Sequence, residues 1–301
     1  MATLYTQADS NIRKTWFLVT LFLVVIIGFG YLLSRYFNAP EILYIAVFFS
    51  VASSISSYWF SDKIVLAMTK SQPIEEKDNR ELFHIVENLC IASGLPMPKI
   101  YIMPEAQPNA FATGRDNKHS VVVVTRGLLE KLNKVELEGV IAHELSHIKN
   151  RDVLLQTVVV VLVGVVAIMA DLFLRTSLFG GFRSRNSNSK GGALMLVLTL
   201  LAAILAPIAA VLIQLSISRK REFLADASGA LLTRYPEGLA LALEKIATDP
   251  SPMRKANNST AHLFISSPFK GKRAGNWLTK LFLTHPPISE RIQALRGLNI
   301  K

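Results

Sequence analysis

The stretch "VIAHELSHIKNRD", residues 140–152, sets His143 and His147 four positions apart with Glu144 beside the first. On an α-helix, positions i and i+4 stack on one face, so both imidazoles can address a single ion. A carboxylate between them can take a proton from a water that the ion activates, which is the chemistry of metal-assisted hydrolysis. At ordinary residue usage the complete pattern arises by chance in roughly one chain of this size in a hundred. A histidine alone reads as a surface or hydrogen-bonded residue; the pair with its glutamate reads as a metal site.

A catalytic zinc site usually takes three protein ligands and a water. The six histidines are His84, His119, His143, His147, His262 and His285, and the single cysteine is Cys90. One cysteine allows neither a disulfide within the chain nor a cysteine-based zinc site. A carboxylate is the better candidate for the third ligand. "REFLADASGA" sets Glu222 and Asp226 four apart on one helical face. Glu222 could bind the metal, and Asp226 could accept the outer N–H of a ligating histidine. The same spacing also suits an exposed acidic pair.

These residues need elements to hold them. A helix starting near Val135 carries the histidine pair. "DNRELFHIVENLCIASGL" has helical spacing at Leu82, Ile85, Val86 and Leu89, with Gly94 as its stop. "KIYIM" at 99–103 alternates, "NAFATG" at 109–114 is a short strand candidate, and "SVVVVTRG" at 120–127 reads as a buried strand. The stretch 249–275, rich in Pro, Ser, Asn, Lys and Gly, reads as a mobile loop.

Half of the chain is apolar, more than a soluble enzyme needs. Four runs are long enough for a bilayer: Trp16–Leu33, Ile42–Phe60, Val153–Leu174 and Ala193–Leu215. Gln156, Thr157 and Asp171 give the third run a side that faces protein or water. The first run lacks a small-residue cleavage site and is followed closely by a second, so it reads as a retained anchor. Domain boundaries follow: a transmembrane hairpin at 1–60, a polar segment at 61–152, a second hairpin at 153–215 and a second polar segment at 216–301. The net charge of +11 forms no aromatic-interleaved basic patch, so nucleic acid is not an expected partner. Most basic residues fall in the two large polar segments, which places both of them, and both termini, in the cytoplasm. Arg175, Arg183, Arg185 and Lys190, between the third and fourth runs, work against that topology. His147 precedes the third run by six residues and Glu222 follows the fourth by seven, so the metal is expected on the order of 10 Å from the bilayer edge.

"HELSH", then "EFLAD", then "THPPISER" resembles the membrane zinc metalloproteases that group the HtpX-type heat-shock proteases with the CAAX prenyl proteases. A hairpin between the two ligand motifs resembles the HtpX type, and "NAFATG" is similar as well. The likeness covers nearly the whole chain, except for the segments near 180–192 and 255–275. It implies an α+β fold, mainly helical, with four transmembrane helices and a cytoplasmic gluzincin domain carrying a small sheet. It implies one Zn2+ held by His143, His147 and Glu222, with Glu144 as general base and Asp226 behind a ligand. His285 and Arg291 would stabilise the oxyanion; without the likeness, "HPP" reads more readily as a plain turn before the last helix. Asn109, Ala110, Phe111, Ala112, Thr113 and Gly114 would be an edge strand that receives the substrate backbone. The implied function is proteolysis of misfolded or damaged membrane proteins at the bacterial inner membrane. Cooperation with other membrane quality-control proteases fits that role.

Other readings fit less well. An intramembrane protease would bury its histidine pair in a span, whereas "KVELEGVIAHELSHIKNRD" is strongly polar. A membrane scaffold or chaperone with a structural zinc would need no base such as Glu144. A transporter would rest on Asp171 alone.

Overall fold

The structure is a computed structural model that describes residues 4–180, 219–251, 253, 259–269 and 286–298. Helices α1 (Leu4–Phe37) and α2 (Glu41–Trp59) pack as a hairpin, and α3 (Ser61–Thr69) follows. Next come β1 (Gln72–Pro73), α4 (Arg80–Ser93), β2 (Lys99–Met103), β3 (Ala110–Asp116) and β4 (His119–Thr125). Helices α5 (Arg126–Lys131), α6 (Lys134–Lys149) and α7 (Asp152–Gly180) complete the first part. After it come α8 (Arg219–Thr233), α9 (Pro236–Thr248), a 3-10 turn at Ala261–Leu263 and α10 (Ile288–Arg296).

The four strands form one mixed sheet in the order β1-β2-β4-β3. β2 and β4 are parallel, and the outer pairings are antiparallel. The valine run of β4 has no polar alternation because both of its faces are covered. Val122 and Val124 join the core under α4 and α6, while Val121 and Val123 pack with Val65, Phe111, Val160 and Phe264 on the other side. β3 lies at the sheet edge beside α6 and α7.

The expected helix over residues 80–93 is present. Asn79 caps it by accepting from Leu82 N–H, the four apolar positions are buried, and Gly94 ends it in the left-handed region at φ 70°. Helix α6 starts on a capping box in which Asn133 and Glu136 satisfy each other's backbone N–H groups.

Among the described residues, three helices are long and apolar enough to cross a membrane: Asp9–Arg35, Glu41–Trp59 and Asp152–Met169. Trp16, Phe17, Leu32, Tyr44, Phe48 and Ile55 stand exposed on the first two, an apolar surface of the kind that lipid covers. The third is largely buried by α1, α2, α3 and β3. The sequence expectation for that run is a span of 153–174; the helix is longer and reaches Gly180. Gln156 and Thr157 face protein, and Asp171 is exposed. The fourth run, Ala193–Leu215, lies outside the described residues, as does most of the loop before it.

The reading of 249–275 as a mobile loop needs correction over its described part. Residues 259–266 are buried, with Phe264 edge-on to Phe111 at 5.2 Å between ring centroids. The apolar run "LFI" at 263–265 finds a partner surface on β3, which local composition does not reveal.

Candidate active site

His143 and His147 stand one turn apart on the buried face of α6, with Nε2 atoms 3.1 Å from each other. Helix α8 crosses α6 at this point because Gly229 has no side chain. A Cβ there would lie 3.0 Å from the backbone nitrogen of His143. One turn earlier α8 presents Asp226, and one turn before that Glu222. Glu222 Oε1 lies 3.6 Å from His147 Nε2, and Oε2 lies 3.9 Å from His143 Nε2. One ligand atom from each of the three side chains falls within 4.8 Å of the others, and all three are buried.

The outer ring nitrogens decide what the inner ones can do. His143 Nδ1 is 2.9 Å from Asp226 Oδ1, and His147 Nδ1 is 2.9 Å from Asp152 Oδ2. A carboxylate accepts, so each Nδ1 carries the proton and each Nε2 turns a lone pair inward. Two lone pairs facing across 3.1 Å repel unless a cation lies between them. Tetrahedral zinc with N ligands at about 2.0–2.1 Å separates them by about 3.3 Å. The donor set therefore fits a divalent ion held by His143, His147 and Glu222. Burial holds His143 well down, to about 4. Burial also opposes a charge on His147, but the Asp152 hydrogen bond and the Glu222 carboxylate outweigh it and raise that group to about 9. With no cation between them, only one of the two imidazoles can carry a proton on its inward nitrogen.

Glu144 is buried between α6 and β3 and accepts a hydrogen bond from the Ala112 backbone N–H. Burial raises its carboxyl to about 7, against the pull of the His147 and Arg291 charges. That value suits a group that must both accept and release a proton near neutrality.

Arg291, from α10, is fully buried. Its Nε and Nη2 donate to the two Asp226 oxygens at 2.8 and 2.7 Å, a fork-to-fork pair. Burial would raise Asp226, but the Arg291 charge and hydrogen bonds hold it below the usual carboxylate range. Nη1 donates to the backbone oxygen of Ile265 at 3.0 Å.

The strand candidate at 109–114 is edge strand β3 with Asn109 just before it, and its outward side is already engaged. Ile265 N–H donates to Ala110 O at 3.0 Å, and Asn109 Nδ2 donates to Ser266 O at 2.9 Å. Thr113 and Gly114 meet Thr157 of α7. His285 lies outside the described residues. His84 and His119 are exposed and away from the cluster, and His262 is buried beside the Gln156 carbonyl.

Asp152 is the site residue that the sequence reading missed. It stands five residues after His147, a spacing that no continuous helix brings to one face. The chain turns at Arg151, which is in the left-handed region at φ 59°, and that turn swings Asp152 back under His147. The one hint in the sequence is "NRD", a polar break between the histidine helix and the apolar run.

Paired histidines, a buried glutamate between them and a third carboxylate beside apolar helices match the equipment of a membrane metallopeptidase. Comparison with known proteins agrees. The profile of peptidase family M48 matches residues 76–299. The chain is 46% identical over 302 residues to a protein named protease HtpX homolog from Caldanaerobacter subterraneus, covering 99% of each. It is 46% identical over 287 residues to a protein of the same name from Thermococcus kodakarensis, covering 95% of each. The crystal structure of Ste24p from S. mikatae is similar at TM-score 0.49 and 19% identity, covering 97% of this chain and 67% of that one. The chain belongs to peptidase family M48, and it is a metallopeptidase.

Proposed function

We propose that the chain is a zinc endopeptidase of the bacterial inner membrane that cleaves misfolded or damaged membrane proteins on the cytoplasmic side. His143, His147 and Glu222 would hold the zinc, which when bound would supply a Lewis acid for the scissile carbonyl and for the attacking water. Glu144 takes the proton of that water and delivers it to the leaving amine. Asp226 and Asp152 hold the two imidazoles from behind. Arg291, with His285, stabilises the oxyanion; the guanidinium already donates to a peptide carbonyl, that of Ile265. A substrate backbone adds to β3 at Ala110 and takes the place of residues 264–266 there. Four spans, domain boundaries at 60, 152 and 215, and a site on the cytoplasmic side of the bilayer complete the reading.

One observation carries it: two inward-facing imidazole nitrogens closed by Glu222, with a buried glutamate of raised pKa beside them. The test is zinc content and casein cleavage in detergent for the parent chain and for Glu144→Gln. The parent should bind one zinc and cleave; the variant should keep its zinc and lose cleavage. Loss of zinc in Glu144→Gln, or an inert parent with full zinc, would sink the assignment.

A further inference from the structure

The carboxylate of Asp152 is divided between two tasks. Oδ2 faces His147. Oδ1 accepts from the side-chain amide of Asn11 at 2.6 Å, with Arg221 Nη1 3.4 Å away. Asn11 belongs to α1, at the start of the first apolar span, and is 1% exposed. Its amide nitrogen also donates to Asn150 O at 3.0 Å, and its own oxygen accepts from Arg221 Nη1 at 3.0 Å. Below it on the same stripe of α1 come Thr15, Leu18, Phe22 and Ile26, all buried, and the last three pack in one cluster with Leu155, Val159 and Leu162 of α7. Asn11 is thus the polar head of an otherwise packing face, and it touches three elements at once: the turn after α6, the start of α7 and the residue before Glu222 on α8.

The chemistry explains why an amide stands there. A lone buried carboxylate beside Arg221 would turn both oxygens to the guanidinium, because a bidentate pair is the stronger arrangement. Asn11 accepts from Arg221 and donates to Oδ1, which keeps the cation on one side of Asp152. Oδ2 is left to the imidazole. A partner of this kind fixes the orientation of a ligating histidine and raises its basicity.

We propose that Asn11 is a positioning residue for the metal site, acting through Asp152 on His147, so that the site is complete only when α1 is seated against α7. The proposal rests on His147 being a zinc ligand. It ties the first apolar helix, more than a hundred residues upstream, to the affinity for the ion.

The test uses the full chain in detergent, with zinc affinity by chelator competition and the visible spectrum of the Co2+-substituted protein as readouts. Asn11→Ala should weaken zinc by about 10–100-fold and shift the Co2+ bands. Asp152→Asn should do the same, and the double variant should lose little more than Asp152→Asn alone, because both changes act along one path. Leu18→Ala, a packing change on the same stripe, should lower thermal stability and leave zinc affinity within about threefold. Should Asn11→Ala not fold, Asn11→Ser keeps a polar head, and its intermediate weakening of zinc is read against the same control. Parent-like affinity and Co2+ spectrum in the Asn11 variants, or equal weakening by Leu18→Ala, overturns the proposal. His147→Ala separates the layers: if it keeps parent affinity, the ligand assignment falls and the proposal with it. If it loses zinc while the Asn11 variants do not, the proposal alone falls.

Discussion

Glu144 and Glu222 are both buried glutamates beside the same histidines, and their tasks differ. In the proposed mechanism Glu144 works only as a carboxylate, since its task there is to accept a proton. Burial raises it to about 7, so hydrolysis should fall as pH drops through that region. A divalent cation bound at the neighbouring ligands would favour the ionised form and move the loss to lower pH. The expected kcat/KM profile therefore rises along an acid limb below pH 7; a flat profile from about pH 5 to 8 would remove Glu144 as the base. Glu222, as the proposed third ligand, would act through its charge on the ion. Glu222→Gln exchanges a charged donor for a weak neutral one, and zinc affinity should drop steeply. Asp226→Asn leaves the ligands in place and should cost about 10–100-fold, recoverable in part with excess zinc. Measured zinc affinities in the reverse order would take Glu222 out of the coordination sphere. The residue types needed for these roles were legible in the sequence, because i, i+4 spacing on a helix fixes which side chains share a face. Asp152 was not legible, because its approach depends on a turn in the left-handed region at Arg151.

At the scale of elements, the site exists because two helices cross closely. Gly229 lets α8 lie against the backbone of α6 at Ala142 and His143, and Gly139 does the same for α9 at Leu239. In both crossings the added Cβ would meet backbone, which cannot rotate away. Gly229→Ala should push α8 off α6, cost about 1–3 kcal/mol of stability and weaken zinc more than Gly164→Ala, a helical glycine with open space around it. Thermal melts and chelator competition on the two variants check this, and equal effects would mean that the crossing does not set the site. Most elements could be drawn from local pattern: the cap and stop of α4, the strand at 99–103 and the valine run of β4. Residues 259–266 could not. Their burial against β3 is decided by a contact more than a hundred residues away in the chain, between Ile265 and Ala110.

At the scale of the molecule, α7 belongs to two worlds. Its first turns pack on the sheet and on α1, and its length suits a span. The proposed topology makes a direct prediction in a Cys90→Ser background. A cysteine placed at Ser187 should react with an impermeant thiol reagent from outside the cell, and one at Ser251 should not. Protection at Ser187 would mean that the second hairpin does not cross. The sequence by itself determined the apolar runs, the histidine helix and the acidic pair on α8, because each is a local periodicity and local periodicity needs no partner. Only the tertiary structure decided that Asp152 and Asn11 stand behind His147, that Arg291 forks onto Asp226, and that the chain covers its own edge strand. Each of these joins residues from separate elements, and such pairings are set by how helices cross and where the chain turns, which no short stretch of sequence encodes.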